Sequence, residues 1–296
     1  VQPGTHRRTA QRRCGVSMRA TVPFSPFTYL FVPGNRPERF DKALASGADR
    51  VILDLEDAVA PDDKAAARSS IAAWLDQSAA ARDRILVRIN DTSTPWHVED
   101  LNLLRQIQPC TVMLPKCEDE RQIAAVHSCL TPPATLVALI ESARGVEALP
   151  RIAGAPGVSR LAFGALDYMV DLDIPADSPA LAQTAIQIAV ASRAAGLAKP
   201  IAGVTPDMDT TRVASDMREA MALGFGAKMC IHPMQIAAVR QAITPSEQEV
   251  AWAQRVLLAW NDGAGGVLQV DGKMVDRPVV LKAERIISRT AQTFNP

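Results

Sequence analysis

The sequence predicts an α/β fold: a TIM-type (β/α)8 barrel with a C-terminal helix-hairpin-helix extension. Three observations carry that prediction. Eight short apolar runs recur along the 296 residues. Helix-like stretches separate nearly all of them, and each run ends in a charged residue, a turn or a His-Pro pair. Strand and helix alternating eight times is the pattern of a closed parallel barrel. In such a barrel the C-terminal ends of the strands share one rim, and the rim is where chemistry is placed.

The runs cover residues 29–33, 51–57, 85–90, 111–116, 136–141, 161–167, 201–205 and 228–233. The first leads into Gly34-Asn35-Arg36-Pro37, a turn that opens a helix at Glu38. The second delivers Asp54, Glu56 and Asp57 to the rim. Its helix starts near Pro61, with Asp62 and Asp63 in the first turn, where the helix dipole favours acids. The third carries Arg88 and the fourth ends at Lys116. The fifth runs into Glu141 and the sixth into Gly164-Ala165-Leu166-Asp167. The next helix opens with Ser178-Pro179, an N-cap and a first-turn proline, and presents Leu181, Ala185, Ile188 and Ala189 on one face. The last two strands are 201–204 and 228–231, the latter ending at His232-Pro233.

The barrel is thus expected over 27–245. Residues 246–296 form an extension that the barrel does not require: a helix over 246–260, a hairpin over 267–275 turning at Asp271-Gly272, and a helix from Pro278. Residues 1–26 read as a disordered basic arm, with Arg7, Arg8, Arg12, Arg13 and Arg19 and no acid. An organelle-targeting peptide is the other reading of that composition.

Lysine plus arginine balances aspartate plus glutamate at 32 each, so no net field points to nucleic acid or an anionic membrane. No apolar stretch approaches the roughly 20 residues that cross a bilayer. The five cysteines have no CxxC or metal-finger spacing, which suits reduced thiols in a cytoplasmic protein. Cys117 follows a rim lysine but reads as a packed residue rather than a nucleophile.

The rim residues suggest a chemistry. Glu141 and Asp167 fall about one βα unit apart, on what should be adjacent strand ends. Two carboxylates facing one pocket suit Mg²⁺, which keeps several waters, better than Zn²⁺, which takes His or Cys. Each acid alone reads equally well as a helix cap or a partner of Arg144. With Gly164 allowing close backbone approach beside Asp167, the metal reading leads. Arg88 ends an apolar strand, so its guanidinium needs an anion: Glu56 and Asp57, a ligand carboxylate, or both. Lys116 is either a Schiff-base lysine or a strand end paired with Glu118 or the 54–57 acids, and the latter is preferred. His232 is a general base or a hydrogen-bonding group on the barrel floor.

Eight segments then recur in order: 31–40 (FVPGNRPERF), 52–59 (ILDLEDAV), 87–90 (VRIN), 113–116 (MLPK), 140–142 (IES), 163–168 (FGALDY), 231–233 (IHP) and 272–276 (GKMVD). Together they resemble the citrate lyase β-subunit-like branch of the HpcH/HpaI aldolase superfamily, which includes malyl-CoA and citramalyl-CoA lyases. The resemblance covers about residues 27–290.

It implies a Mg²⁺-dependent carbon–carbon lyase acting on a 3-hydroxyacyl-CoA thioester, with Glu141 and Asp167 as metal ligands. It implies that Arg88 binds the oxoacid carboxylate, with Glu56 and Asp57 beside it in the catalytic group, that the loop bearing Arg36 meets the CoA end, and that Gly164 belongs to the substrate-binding set. It also implies a homotrimer or hexamer, in which Asp276 reaches a neighbouring subunit's site and exchanges a proton with the enolate carbon. Three departures separate the chain from citrate lyase β subunits. Gly164-Ala165-Leu166-Asp167 replaces Gly-x-Glu-Asp, His232-Pro233 replaces Asn-Pro, and strand seven lacks an acidic ending. They favour a freestanding lyase of citramalyl-CoA or malyl-CoA; a citrate lyase β-type subunit acting on citryl-acyl carrier protein is the alternative.

Overall fold

A computed structural model describes residues 25–262 and 268–294. Eight parallel strands close into a barrel in chain order: β1 (Thr28–Pro33), β2 (Arg50–Asp54), β3 (Ile85–Arg88), β4 (Thr111–Leu114), β5 (Thr135–Ile140), β6 (Val158–Phe163), β7 (Ile201–Ala202) and β8 (Ala227–Cys230). The basic arm, up to residue 24, lies outside the described residues.

Helices follow the strands around the barrel. They are α1 (Phe40–Ala45), α2 (Lys64–Gln77), α3 (His97–Ile107), α4 (Glu120–His127), α5 (Ala143–Glu147), α6 (Leu149–Gly154), α7 (Ala165–Leu172), α8 (Pro179–Ala194), α9 (Thr210–Ala222) and α10 (Met234–Ile243). Their starts follow local chemistry. Ser178 caps α8, its hydroxyl accepting from the Ala180 N–H at 3.3 Å. Asp119 and Gln122 form a capping box at α4. Along α8, Ala185 and Ile188 are buried while Leu181 and Ala189 are partly covered, so the face read from sequence is the one that packs.

Strand alternation divides the core in two. One set of buried side chains fills the lumen: Tyr29, Ile52, Leu86, Met113, Val137, Leu139, Ala162, Ile201, Ala227 and Met229. The alternate set, including Val51, Leu53, Ile85, Val87 and Ile140, packs under the helices. Three sequence boundaries are corrected. The second strand, expected over 51–55, stops at Asp54, because the Asp54 carboxylate turns the chain by accepting from the N–H groups of Glu56 and Ala58 at 3.0 Å each. The sixth starts at Val158, and the seventh has only two residues.

After α10 come α11 (Glu247–Asp262), an antiparallel hairpin of β9 (Leu268–Val270) and β10 (Lys273–Val275), and α12 (Arg277–Phe294). Asp271 and Gly272 take φ of 51° and 73°, a two-residue turn whose twist suits a hairpin. This extension has its own apolar cluster, with Ala253, Val256, Val275, Val280, Ala283 and Ile286. Among the described residues, no helix is long and apolar enough to cross a membrane.

Candidate active site

The lumen alternation carries three charged side chains to its top. Inward-facing Ile52, Leu86 and Leu139 are followed two residues later by Asp54, Arg88 and Glu141. Asp54 and Arg88 are register partners on β2 and β3. The Arg88 Nε donates to Asp54 Oδ1 at 2.6 Å and Nη2 donates to Oδ2 at 2.7 Å, a two-point grip on a fully buried carboxylate. Burial pushes the Asp54 carboxyl up, but Arg88 outweighs it and holds the group below the usual aspartate range. The sequence names Glu56 and Asp57 as the counterions of Arg88; the main partner is Asp54, because it alone is in register with the arginine.

Glu56 and Asp57 stand just past the strand end. Arg88 Nη1 lies 2.9 Å from Glu56 Oε2 and 3.4 Å from Asp57 Oδ2. The face of the guanidinium covers the Phe31 ring at 4.7 Å. Both Glu56 oxygens are buried outside hydrogen-bonding geometry, with Lys116 Nζ 3.5 Å away. Burial pushes the Glu56 carboxyl up to about 7; Arg88 pulls against the rise, while Asp57 and Asp54 add to it. Lys64 fixes the turn beneath, its Nζ donating to the carbonyls of Leu55 and Glu56 at 2.6 and 2.7 Å.

Glu141 follows β5, and Gly164 follows β6, where Ile140 pairs with Phe163. Continuing that register sets Glu141 beside Gly164. A Cβ on Gly164 would sit 2.4 Å from Glu141 Oε1, so only glycine leaves room for the carboxylate. Its other oxygen accepts from the backbone N–H of Lys116 at 2.8 Å. That N–H is turned inward because Lys116 has a left-handed φ of 43°. Burial pushes the Glu141 carboxyl up to about 8; Glu56 and Asp167 add to the rise and the Lys116 N–H opposes it. Asp167 is not at a strand end, as expected from sequence, but in the first turn of α7.

These groups line a cleft of about 310 Å³ that includes Phe31, Asp54, Asp57, Arg88, Glu141 and Asp167. Lys116 meets Glu56 as the structural reading requires. Burial lowers its amine's pKa, but Glu56, Asp57, Glu141 and Asp167 raise it more, which keeps the amine charged and unsuited to Schiff-base formation. Cys117 is fully buried and its thiol is pushed up to about 12, so it is not an activated nucleophile.

Other expected residues lie apart. Arg36 is exposed, its Nε donating to Glu38 at 2.7 Å. His232 is exposed beyond β8 and its Nδ1 accepts from the Met234 N–H at 3.2 Å, so it does not bond the barrel floor. Asp276 caps α12 through the Val279 N–H at 3.2 Å and is not among the residues lining the cleft of its own chain.

Five carboxylates (Asp54, Glu56, Asp57, Glu141, Asp167) crowd two cations (Arg88, Lys116) here, and the buried Glu141 and Glu56 carry the strain as raised pKa values. Such an excess fits a cation. Among the described residues, no group of three or more His, Cys, Asp or Glu side chains is assembled for a metal. A pair of carboxylates with other positions left to water and substrate is the Mg²⁺ pattern.

The family model described as HpcH/HpaI aldolase/citrate lyase matches residues 28–233. The chain belongs to that family. It is 37% identical over 273 residues to a citrate lyase subunit beta-like protein of Mycobacterium tuberculosis, covering 89% of this chain and 95% of the relative. It is 31% identical over 296 residues to the L-malyl-CoA/beta-methylmalyl-CoA lyase of Cereibacter sphaeroides, covering 87% and 92%. The solved structure of CitE from M. tuberculosis in complex with magnesium, acetoacetate and coenzyme A superposes with a TM-score of 0.81 at 35% identity, covering 91% of this chain and 99% of that one. The chain is a carbon–carbon lyase of the citrate lyase β-like and CoA ester lyase branch.

Proposed function

We propose that this lyase cleaves, or forms in reverse, the carbon–carbon bond of a 3-hydroxyacyl-CoA such as citramalyl-CoA or malyl-CoA, giving acetyl-CoA and a 2-oxoacid, with Mg²⁺ held by Glu141 and Asp167. The observation that carries the reading is the acid-rich cleft in which Gly164 makes room for Glu141 beside an Arg88 already gripped by Asp54. The magnesium and CoA complex of the related CitE supports it.

Asp54 fixes the guanidinium through Nε and Nη2 while Nη1 lies against Glu56 and Asp57, so Arg88 meets the oxoacid carboxylate with its aim already set, through the second N–H of Nη2. Mg²⁺, when bound, acts as a Lewis acid toward the substrate's oxygens. Asp57 is the carboxylate of the Arg88 cluster that opens to the cleft, with a side chain 59% exposed. It takes the hydroxyl proton as the bond breaks. The bonding electron pair passes to the carbon next to the thioester, and that carbon is protonated by Asp276 of a neighbouring subunit in a trimer or hexamer. Glu56 balances charge behind Arg88.

The test is a coupled assay of the purified chain with malyl-CoA, citramalyl-CoA and citryl-CoA, with and without Mg²⁺, detecting glyoxylate, pyruvate or oxaloacetate with acetyl-CoA. Metal-dependent release of one oxoacid is expected. Oxoacid release only from citryl-acyl carrier protein would move the reading to a citrate lyase β-type subunit.

A further inference from the structure

The opposite end of the barrel holds an arrangement that this chemistry does not use. Helix α12 runs beside the N-terminal mouth, and between them lies a cavity of about 660 Å³. The starts of several strands meet there: Phe27 ahead of β1, Arg160 in β6, Lys199 ahead of β7, and Phe225 and Gly226 ahead of β8.

Arg160 is 3% exposed. Its Nε donates to the Lys199 carbonyl at 2.5 Å, and its Nη1 donates to the Pro26 carbonyl at 2.8 Å and the Tyr29 hydroxyl at 3.0 Å. Its Nη2 is buried with no hydrogen-bond partner. Among the described residues no acidic side chain bonds this guanidinium, and a buried charged donor left unsatisfied is uncommon in folded proteins.

Four of the cavity's five other charges have the same sign. Lys199, Lys282, Arg285 and Arg289 line it, with Glu284 as the one carboxylate, and Glu284 lies 3.8 Å from Arg277. Burial, Arg289 and Arg285 all lower the Lys199 pKa, in that order, so three cations press on one space. Phe27, Phe225 and Leu281 supply apolar wall.

We propose that this cavity binds a phosphorylated small molecule bearing more than one negative charge, with Arg160 at its base and Lys199 and Arg285 around the phosphates. Guanidinium forks match phosphate oxygens, and Arg160 from β6, Lys199 from the β7 approach and Arg285 from α12 line one volume. The volume falls in the range of small-molecule sites, and the apolar wall suits an organic body attached to the phosphates.

The experiment is calorimetric titration of the full-length protein with sodium tripolyphosphate in metal-free buffer, against a matched sodium chloride control. One saturable site per chain is expected. Arg285→Gln and Lys199→Gln should each weaken it about tenfold or more, with unchanged circular dichroism. Arg160→Gln should abolish it; because Arg160 also ties down Tyr29 and Pro26, the other two variants decide if that protein does not fold. Arg88→Gln should bind as the parent does, which separates this cavity from the rim cleft. Absence of a saturable site, binding unchanged in both Arg285→Gln and Lys199→Gln, or binding lost in Arg88→Gln protein whose circular dichroism matches the parent would overturn the proposal.

Discussion

The two ends of the barrel bury charge in opposite ways. At the rim, Arg88 is gripped by a carboxylate in register, and further acids outnumber the cations around the cleft. At the mouth, Arg160 is held by two carbonyls and a phenol, and its neighbours are mostly lysines and arginines. Strand β6 links the two, running inward through Arg160, Ala162 and Gly164. The same alternation places a cation at one end and, at the other, the gap that Glu141 fills. An apolar lumen lies between the two clusters.

Breaking the rim should have the largest effect. Glu141→Gln is expected to lower Mg²⁺-dependent turnover about 10³-fold, since the proposed Glu141–Asp167 ligand pair would hold an ion supplying several kcal/mol of Lewis-acid stabilisation. Calorimetric Mg²⁺ titration checks that the loss lies in metal binding. Asp54→Asn should cost about 3 kcal/mol, because it takes from buried Arg88 the carboxylate in register with it and leaves Glu56 as the close counterion. The folded-state pKa of Asp54 is lowered, so its ionised form stabilises the fold above the unfolded value of about 3.9, and that contribution fades as pH falls through the folded value. Urea unfolding should therefore show a full gap between parent and variant at pH 7 that narrows below about pH 4. Gly164→Ala should reduce turnover about 10²-fold by displacing Glu141, with little change in Tm. The mildest effect belongs to the mouth. Tyr29→Phe removes one neutral acceptor from Arg160 and should cost about 1 kcal/mol in the same unfolding experiment.

Period-two patterning makes Arg88 and Glu141 legible in the sequence, because each ends an apolar strand on the inward phase. It does not reveal the role of Asp54. The run Leu53–Asp57 offers three acids, and only the β2–β3 register shows which one meets Arg88. Asp167 reads as a strand end because Gly164-Ala165-Leu166 is apolar, yet α7 begins at Ala165 and carries the acid on its first turn. The left-handed Lys116 has no sequence signature, since non-glycine residues with positive φ are set by tertiary contacts such as its N–H to Glu141. Arg160 and Lys199 escape a search guided by the rim, because they belong to the end of the barrel where strands begin.

The two-residue β7 makes the barrel a hoop with one short stave. It joins β6 through the single pair Ala162–Ile201 and β8 through two. A hoop under stress gives where its staves are least fastened, and here that place is adjacent to Val204 in the wall of the cleft. The opposite wall, β2 against β3, is locked by a buried ion pair. Breathing of this barrel is therefore expected to be one-sided, widening the cleft toward β7 while the arginine side keeps its aim.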